Sequence, residues 1–471
     1  MQIKQYYLGC LAHASYLIVD EASATAAVVD PQRDVEQYLS DAEAQGVRIA
    51  HVILTHFHAD FVAGHLELQA ATKATIHLGA RAQADYAFEA FRDGETLRMG
   101  QTRLVCMETP GHTPEGISVL VYDDAQDGAQ PHAVLTGDTL FIGDVGRPDL
   151  LASIGVSADE LATMLYSSLH DKLMRLPDAT LVYPAHGAGS ACGKNLSTER
   201  VCTIGKQRRT NYALQPMTEA EFKQLVTAGQ PDAPRYFLHD AVLNRKQRDV
   251  LDDTLKRELR PLTIGEVFEW TENGAQLLDT REQEDFAHGH LRGSTNVPLD
   301  GKYANWAGSV LDLERPVILI ATPGTEHEAA LRLGRIGIDD VLGYLDGGIA
   351  SAGAVGGDVV HTERIRPDEL EHRLWKPEAP HVLDVRTCGE WAEGHIEGAW
   401  HIPLAQLEQR IAEVPADRAL VVICRSGYRS SIAASMLRRM LPTLPAVVDL
   451  AGGMDAWNAA GKPVLVPAEA R

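Results

Sequence analysis

Several features common in other protein classes are scarce in this chain. No stretch approaches the roughly 20 consecutive apolar residues of a membrane helix, which excludes a helical integral membrane protein. Met1 to Asp20 lacks the basic end, apolar core and cleavage site of a signal peptide, with Lys4 its one basic residue, so a cytoplasmic protein is expected. Cysteine is sparse: six residues run from Cys10 to Cys424 with no Cys-x-x-Cys pair. A disulfide scaffold and a cysteine zinc knuckle are thereby excluded, and a reducing compartment is favoured. Basic charge is also short, with 43 Lys and Arg against 65 Asp and Glu, a net of −22. Such a surface repels nucleic acid and anionic lipid, so neither is an expected partner. What remains is 471 residues, 45% hydrophobic and 23% charged, an ordinary soluble composition. At roughly 150 residues per domain, two to four domains fit.

An internal repeat sets the domain plan. Asp279 and Arg281 correspond to Asp384 and Arg386, Gly289-His290 to Gly394-His395, Gly293 to Gly398, and Pro298 to Pro403. The offset of 105 holds again between Gly347-Gly348 and Gly452-Gly453. One register kept over that distance implies two copies of one domain, over 258–355 and 360–471, with a linker near 353–358. In the second copy, His381–Val385 and Ala419–Ile423 read as strands and Tyr428–Leu441 as a helix. Alternating strands and helices predict a parallel sheet covered on both faces.

Residues 1–250 show no copy of this unit. Apolar strands are expected at Tyr16–Asp20, Ala26–Asp30 and Ala50–Thr55, the last running into His56, His58 and Asp60. Further candidates sit at strand-to-loop transitions: His112, Asp138 and His186. Neutral imidazole and carboxylate are the usual ligands of zinc and non-haem iron, so this segment is expected to bind metal. Residues 194–260 carry 13 Lys and Arg against 9 Asp and Glu. They form either a solvated helical connector or a basic rim for an anionic thiol substrate.

The series His-x-His-x-Asp, Gly-His-Thr, Gly-Asp-Thr and Ala-His-Gly resembles the metallo-β-lactamase fold, an αββα sandwich with its metal site along one sheet edge. The family motif continues with a second His after the Asp, where this chain has Phe61. That substitution removes one ligand of a second metal, while Asp60, Asp138 and His186 remain. The stretch Thr136-Gly-Asp-Thr-Leu-Phe-Ile-Gly-Asp-Val-Gly-Arg-Pro-Asp149 is similar to the persulfide dioxygenases of that superfamily. The resemblance implies one Fe(II) per chain held by His56, His112 and Asp138. His58, Asp60 and His186 would then hold waters and orient ligands. Arg147 is a candidate contact for an acidic thiol carrier, or else an ion-pair partner of Asp144 or Asp149. Cys192 is a candidate accessory sulfur carrier, or a small buried apolar residue.

In the second copy, Cys424-Arg-Ser-Gly-Tyr-Arg429-Ser430 follows an apolar strand and opens a helix. Inward-pointing loop amides form an anion nest, and the helix N-terminus, Arg425 and Arg429 add positive charge. Together they favour the thiolate, so Cys424 is the expected nucleophile. With Asp-Val-Arg and Leu-Ala-Gly-Gly-Met-Asp-Ala-Trp, the segment 363–467 resembles the rhodaneses, in which the cysteine carries a persulfide. The Cys-x4-Arg spacing differs from the Cys-x5-Arg of cysteine phosphatases. In the first copy, Ala321, Thr322 and Glu326 stand in place of Cys424, Arg425 and Arg429, so that copy should be catalytically silent and serve packing or oligomer contacts.

The expected architecture is an α/β multidomain chain: an αββα metallo-β-lactamase sandwich, then a silent and an active rhodanese-like domain with parallel sheets. The resemblance implies oxidation by O2 of the terminal sulfur of a glutathione, coenzyme A or cysteine persulfide to sulfite. Cys424 would form or use thiosulfate, in the context of sulfide detoxification, and a homo-oligomer is expected. Two other readings stay open: a binuclear thioesterase of glyoxalase II type fused to a sulfurtransferase, and a persulfide relay without turnover.

Overall fold

The computed structural model describes all residues except 127, 151–154, 231–232, 355–357 and 467–471. The chain divides into two compact units, Met1–Asp253 with Gly334–Gly337, and Thr254–Leu333 with Ile338–Arg471. No helix among the described residues is long and apolar enough to cross a membrane.

The N-terminal unit is built on two six-stranded sheets. The first runs Gln2–Leu8, His13–Asp20, Thr25–Val29, Arg48–Ile53, Thr75–Gly79 and Glu89–Phe91, in chain order. The second has the order Cys202–Thr203, Leu181–Pro184, Ala133–Gly137, Ile117–Asp123, Thr102–Glu108 and Thr96–Met99. Strand His13–Asp20 shows why the layers stack. Ala14, Tyr16 and Ile18 point into the core between the sheets, against Leu104, Val119 and Leu135. Leu17 and Val19, on the other face, meet Tyr38, Ala42 and Leu68 from the helices Glu36–Ala44 and His65–Thr72. A strand apolar on both faces must be covered on both faces. Helices Ala158–Ser167 and Glu219–Thr227 cover the second sheet through Leu165, Phe222 and Val226. Helices, sheet, sheet and helices give the αββα sandwich.

The basic run 194–260 does not form a uniform rim. Lys206 pairs with Glu199, Arg208 with Asp178, Lys223 with Asp159, and Arg248 with Glu67.

The second unit holds the repeat as two five-stranded, all-parallel sheets. In the first copy the order is Pro261–Leu262, Val341–Leu345, Val317–Ile320, Gln276–Asp279 and Thr295–Asn296. In the second it is Glu363–Ile365, Val447–Leu450, Leu420–Ile423, His381–Asp384 and Trp400–His401. The two topologies are identical. The repeated residues form a staple in each copy. Arg281 pairs with Asp279 at 2.6 Å and donates to Gly289 O at 2.8 Å, while Arg386 pairs with Asp384 at 2.7 Å and donates to Gly394 O at 2.7 Å. The next residue, His290 or His395, stacks on Phe286 or Trp391, with ring centroids 3.8 and 3.5 Å apart. These motifs therefore close a local loop around a buried ion pair. Part of the expected linker, 355–357, lies outside the described residues. Val359–Val360 beyond it pairs with His290–Leu291.

Candidate metal centre and cysteine loop

Strand Arg48–Ile53 ends two residues before the predicted limit: the Leu54 amide still reaches the neighbouring strand, but the Thr55 amide turns to a side chain instead. Leu54 N–H donates to His77 O, and Thr55 N–H donates to Asp30 Oδ1 at 2.7 Å. The released loop brings the rings of His56 and His58 to 4.1 Å between centroids. His112 follows strand Thr102–Glu108, Asp138 follows Ala133–Gly137, and His186 follows Leu181–Pro184. Those three strands run the same way in one sheet, so their C-terminal ends share an edge. Gly137 is required there: its φ is +50°, and a Cβ would lie 2.4 Å from Thr55 Oγ1.

Three of the imidazoles have a fixed orientation. Nδ1 of His56 faces Thr55 Oγ1 at 3.0 Å, and that hydroxyl donates to Asp30. Nδ1 of His112 donates to Arg147 O at 2.9 Å, and Nδ1 of His186 to Ala12 O at 3.3 Å. Each Nδ1 therefore carries the proton, and each Nε2 lone pair is left toward the centre. There the Nε2 atoms of His56, His112 and His186 lie 3.8, 3.5 and 3.5 Å from Asp138 oxygens.

All six predicted residues are buried. They fall into two triads whose ligand atoms lie within 4.8 Å of one another: His56, His112 and Asp138, and His58, Asp60 and His186. Burial and the neighbouring histidines hold His56 far below the usual histidine range, and burial brings His112 to about 4. Burial also lowers His186, and it raises both Asp60 and Asp138 to about 6. For His58, burial opposes the charge, but the carboxylates of Asp30, Asp138 and Asp60 outweigh it and raise the ring. Asp138 Oδ1 and Oδ2, Asp60 Oδ1 and His186 Nε2 are buried without a hydrogen-bond partner among the described residues. Buried carboxylate oxygens without donors, ringed by neutral imidazole lone pairs, are what a cation satisfies. The donor set thus fits a metal ion.

Cys192 is wholly buried, and its sulfur lies within 4.8 Å of the Asp138 and His186 ligand atoms. Burial, with the carboxylates of Asp60 and Asp138, pushes its thiol well up. Arg147 faces inward, with its side chain 4% exposed and paired with Asp149 at 2.6 Å. Of its two expected roles, contact with a carrier and an ion pair with Asp144 or Asp149, the geometry contains the pair with Asp149. Phe61 packs against His13 and His58, at 3.9 and 4.3 Å between ring centroids, and places an apolar ring beside the second triad.

Sequence reasoning missed Asp30 and His13. Asp30, at φ +51°, holds the Thr55 amide and hydroxyl and lies 3.1 Å from His58 Nε2. Its signal was a carboxylate closing an apolar strand. His13 is buried 5.6 Å from His186 between ring centroids, and its signal was a histidine opening an otherwise apolar strand.

In the second unit, Cys424 is 1% exposed at the end of strand Leu420–Ile423. Gly427, at φ +98°, turns its amide onto Cys424 Sγ at 3.1 Å, and Ser430 Oγ lies 3.4 Å from the same sulfur. Helix Tyr428–Met440 starts immediately after. The flanking charges are less free than the sequence suggested. Arg429 makes a fork with Glu390 at 2.7 and 2.6 Å, and Arg425, 68% exposed, lies 3.6 Å from Asp455. The Gly427 amide and the start of the helix are therefore the groups that face the sulfur directly. The first copy keeps the turn, with Gly324 at φ +97°, but Ala321 stands at the sulfur position. There the Gly324 amide donates to Glu326 Oε2 at 2.8 Å, so the loop's own carboxylate occupies the donor.

Residues 8–186 match the family model of the metallo-beta-lactamase superfamily, and residues 264–353 and 366–460 match that of the rhodanese-like domain. A hydroxyacylglutathione hydrolase of Methylococcus capsulatus is 34% identical over 230 residues, 46% of this chain and 83% of that protein. A mitochondrial persulfide dioxygenase of Homo sapiens is 32% identical over 178 residues, 36% of this chain. The match spans 63% of that dioxygenase's length. The crystal structure of a metallo-beta-lactamase from Staphylococcus aureus superposes with a TM-score of 0.67 at 30% identity, covering 73% of this chain and 98% of that one.

Proposed function

Because the chain belongs to the metallo-β-lactamase superfamily and carries two rhodanese-like domains, we propose that it is a persulfide dioxygenase joined to a sulfurtransferase. His56, His112 and Asp138 would hold one ferrous ion, which when bound supplies open positions and electrons for joining dioxygen to a sulfur. The observation that carries this reading is the buried Asp138 carboxylate, with no N–H or O–H donor on either oxygen among the described residues, between two imidazole lone pairs. The outer sulfur of R–S–SH takes up two oxygen atoms from O2 and one from water, leaving R–SH, sulfite and two protons. Thr55 and the Arg147 carbonyl keep His56 and His112 in the ligating tautomer. The rings of Phe61, against His58, and Phe141, against His186, would line the site with apolar surface. At the second site, a persulfide on Cys424 would pass its outer sulfur to sulfite, giving thiosulfate and a Cys424 thiolate held by the Gly427 amide.

The second triad, His58, Asp60 and His186, favours one other reading, a binuclear thioesterase. Phe61 beside it counts against a full second ligand set. Oxygen-electrode kinetics on metal-quantified protein decide between the two. One iron per chain with persulfide-dependent oxygen uptake is expected. Two zinc ions and thioester cleavage without oxygen uptake would reverse the assignment. Cys424→Ser should abolish thiosulfate formation and leave oxygen uptake at the wild-type rate.

A further inference from the structure

The silent copy retains the Asp279–Arg281 staple although it has lost the nucleophile, and one side chain connects that staple to the cysteine loop. Asn296, fully buried, follows Thr295 on the edge strand of the first sheet. Its Nδ2 donates to the carbonyls of Asp279 and Arg281, at 3.0 and 2.9 Å. Its Oδ1 accepts from Ser431 at 2.6 Å, and its backbone N–H donates to Ser435 Oγ at 3.0 Å. Two residues on, Pro298 O accepts from the Tyr428 hydroxyl at 2.7 Å. Tyr428, Ser431 and Ser435 are spaced three and four apart, so they line one stripe of the helix Tyr428–Met440.

The arrangement is one-sided. At the positions matching Asn296, Ser431 and Ser435, the other copy of each segment has His401, Glu328 and Arg332. Tyr428 adjoins Gly427, whose amide faces the sulfur. A helix free to rock by a few tenths of an ångström would carry that amide with it.

We propose that the silent copy is the positioning element of the Cys424 loop, with Asn296 and the Pro298 carbonyl fixing the helix whose N-terminus faces the sulfur. This rests on the reading of Cys424 as the sulfur carrier. Asn296 and Tyr428 act through the helix and are positioning residues. The packing of the silent copy thereby has a chemical consequence in its neighbour.

The test uses the full chain with Tyr428→Phe and Asn296→Ala. Two quantities are read: kcat and KM for thiosulfate-to-thiol sulfur transfer, and the pH dependence of Cys424 alkylation by iodoacetamide, followed by mass spectrometry. Tyr428→Phe removes one hydroxyl and should lower kcat about three- to tenfold at unchanged KM, the scale of one hydrogen bond. It should also move the alkylation profile toward higher pH. Asn296→Ala should do more of both, with oxygen uptake unchanged. A merely structural role would reduce the yield of folded protein and leave kcat per folded chain and the alkylation profile alone. Wild-type kcat and profile in both variants overturn the proposal, and if Asn296→Ala does not fold, Tyr428→Phe decides. Absence of transfer in the wild type would sink the functional reading instead, and the alkylation profiles would still judge the positioning.

Discussion

Replacing Asp138 by Asn should stabilise the metal-free protein and abolish its response to metal. Burial raises the Asp138 carboxyl to about 6, from 3.8 for an ordinary aspartate. A carboxyl raised on folding costs stability that is absent below its unfolded value and complete above its folded one. At about 1.4 kcal/mol per pH unit, ionising Asp138 in the folded chain at pH 7 costs about 3 kcal/mol. Asn keeps the shape and carries no charge, so the metal-free variant should melt above metal-free wild type. For a unit of this size, about 2–4 °C per kcal/mol makes that gap roughly 6–12 °C at pH 7, closing toward pH 4. Metal acts in the opposite sense on the two proteins. In wild type, ferrous or zinc ion at about a hundred times its dissociation constant adds about 2.7 kcal/mol, a rise of similar size. In Asp138→Asn the rise should vanish. Differential scanning calorimetry of the full chain, at several pH values with and without metal, reads both effects. A metal-free variant less stable than metal-free wild type at pH 7, or one that still gains stability with metal, would falsify the argument that this carboxylate awaits a cation.

Two further outcomes follow from the second unit. Ala321→Cys should yield no sulfurtransferase turnover above background in a Cys424→Ser chain, because Glu326 already occupies the Gly324 amide; measurable turnover would refute that occupancy. Glu390, drawn against burial by its fork with Arg429, has its carboxyl held at about 2, below its ordinary 4.5. Its contribution to stability is therefore present above about pH 4.5 and lost as pH falls toward 2. Urea unfolding of Glu390→Gln should show a flatter pH dependence in that window than wild type, and identical slopes would refute the pairing.

The architecture was legible because it is written in local patterns. Two-faced apolar strands, the offset of 105 and the His and Asp motifs at strand ends each point to one arrangement. The six candidate ligands could be named because each lies where a strand gives way to a loop. What could not be read were partnerships between distant positions. Asp30 acts on Thr55 across 25 residues, Glu390 on Arg429 across 39, and Asn296 on Ser431 across 135. Nothing in the spacing of Arg429 announces that a carboxylate already holds it. The sequence also suggested a basic segment at 194–260, but Arg208, Lys223 and Arg248 meet acids elsewhere in the chain, and composition alone does not show pairing.

Both candidate sites obey one rule of α/β construction, with functional groups carried just beyond the C-terminal ends of strands, yet they have opposite electrostatic needs. At the sandwich edge the chain gathers imidazole lone pairs and two carboxylates in a buried pocket, an arrangement incomplete without positive charge. At Cys424 it gathers an amide, a hydroxyl and a helix N-terminus around a sulfur, an arrangement incomplete without negative charge. The first copy, with Ala321 in place of Cys424, shows the same turn with its charge supplied from within. It retains the left-handed glycine turn, but its own glutamate supplies the negative charge and leaves the amide closed to any substrate. The amide that faces Cys424 Sγ in one copy is thus taken by the loop's own carboxylate in the other.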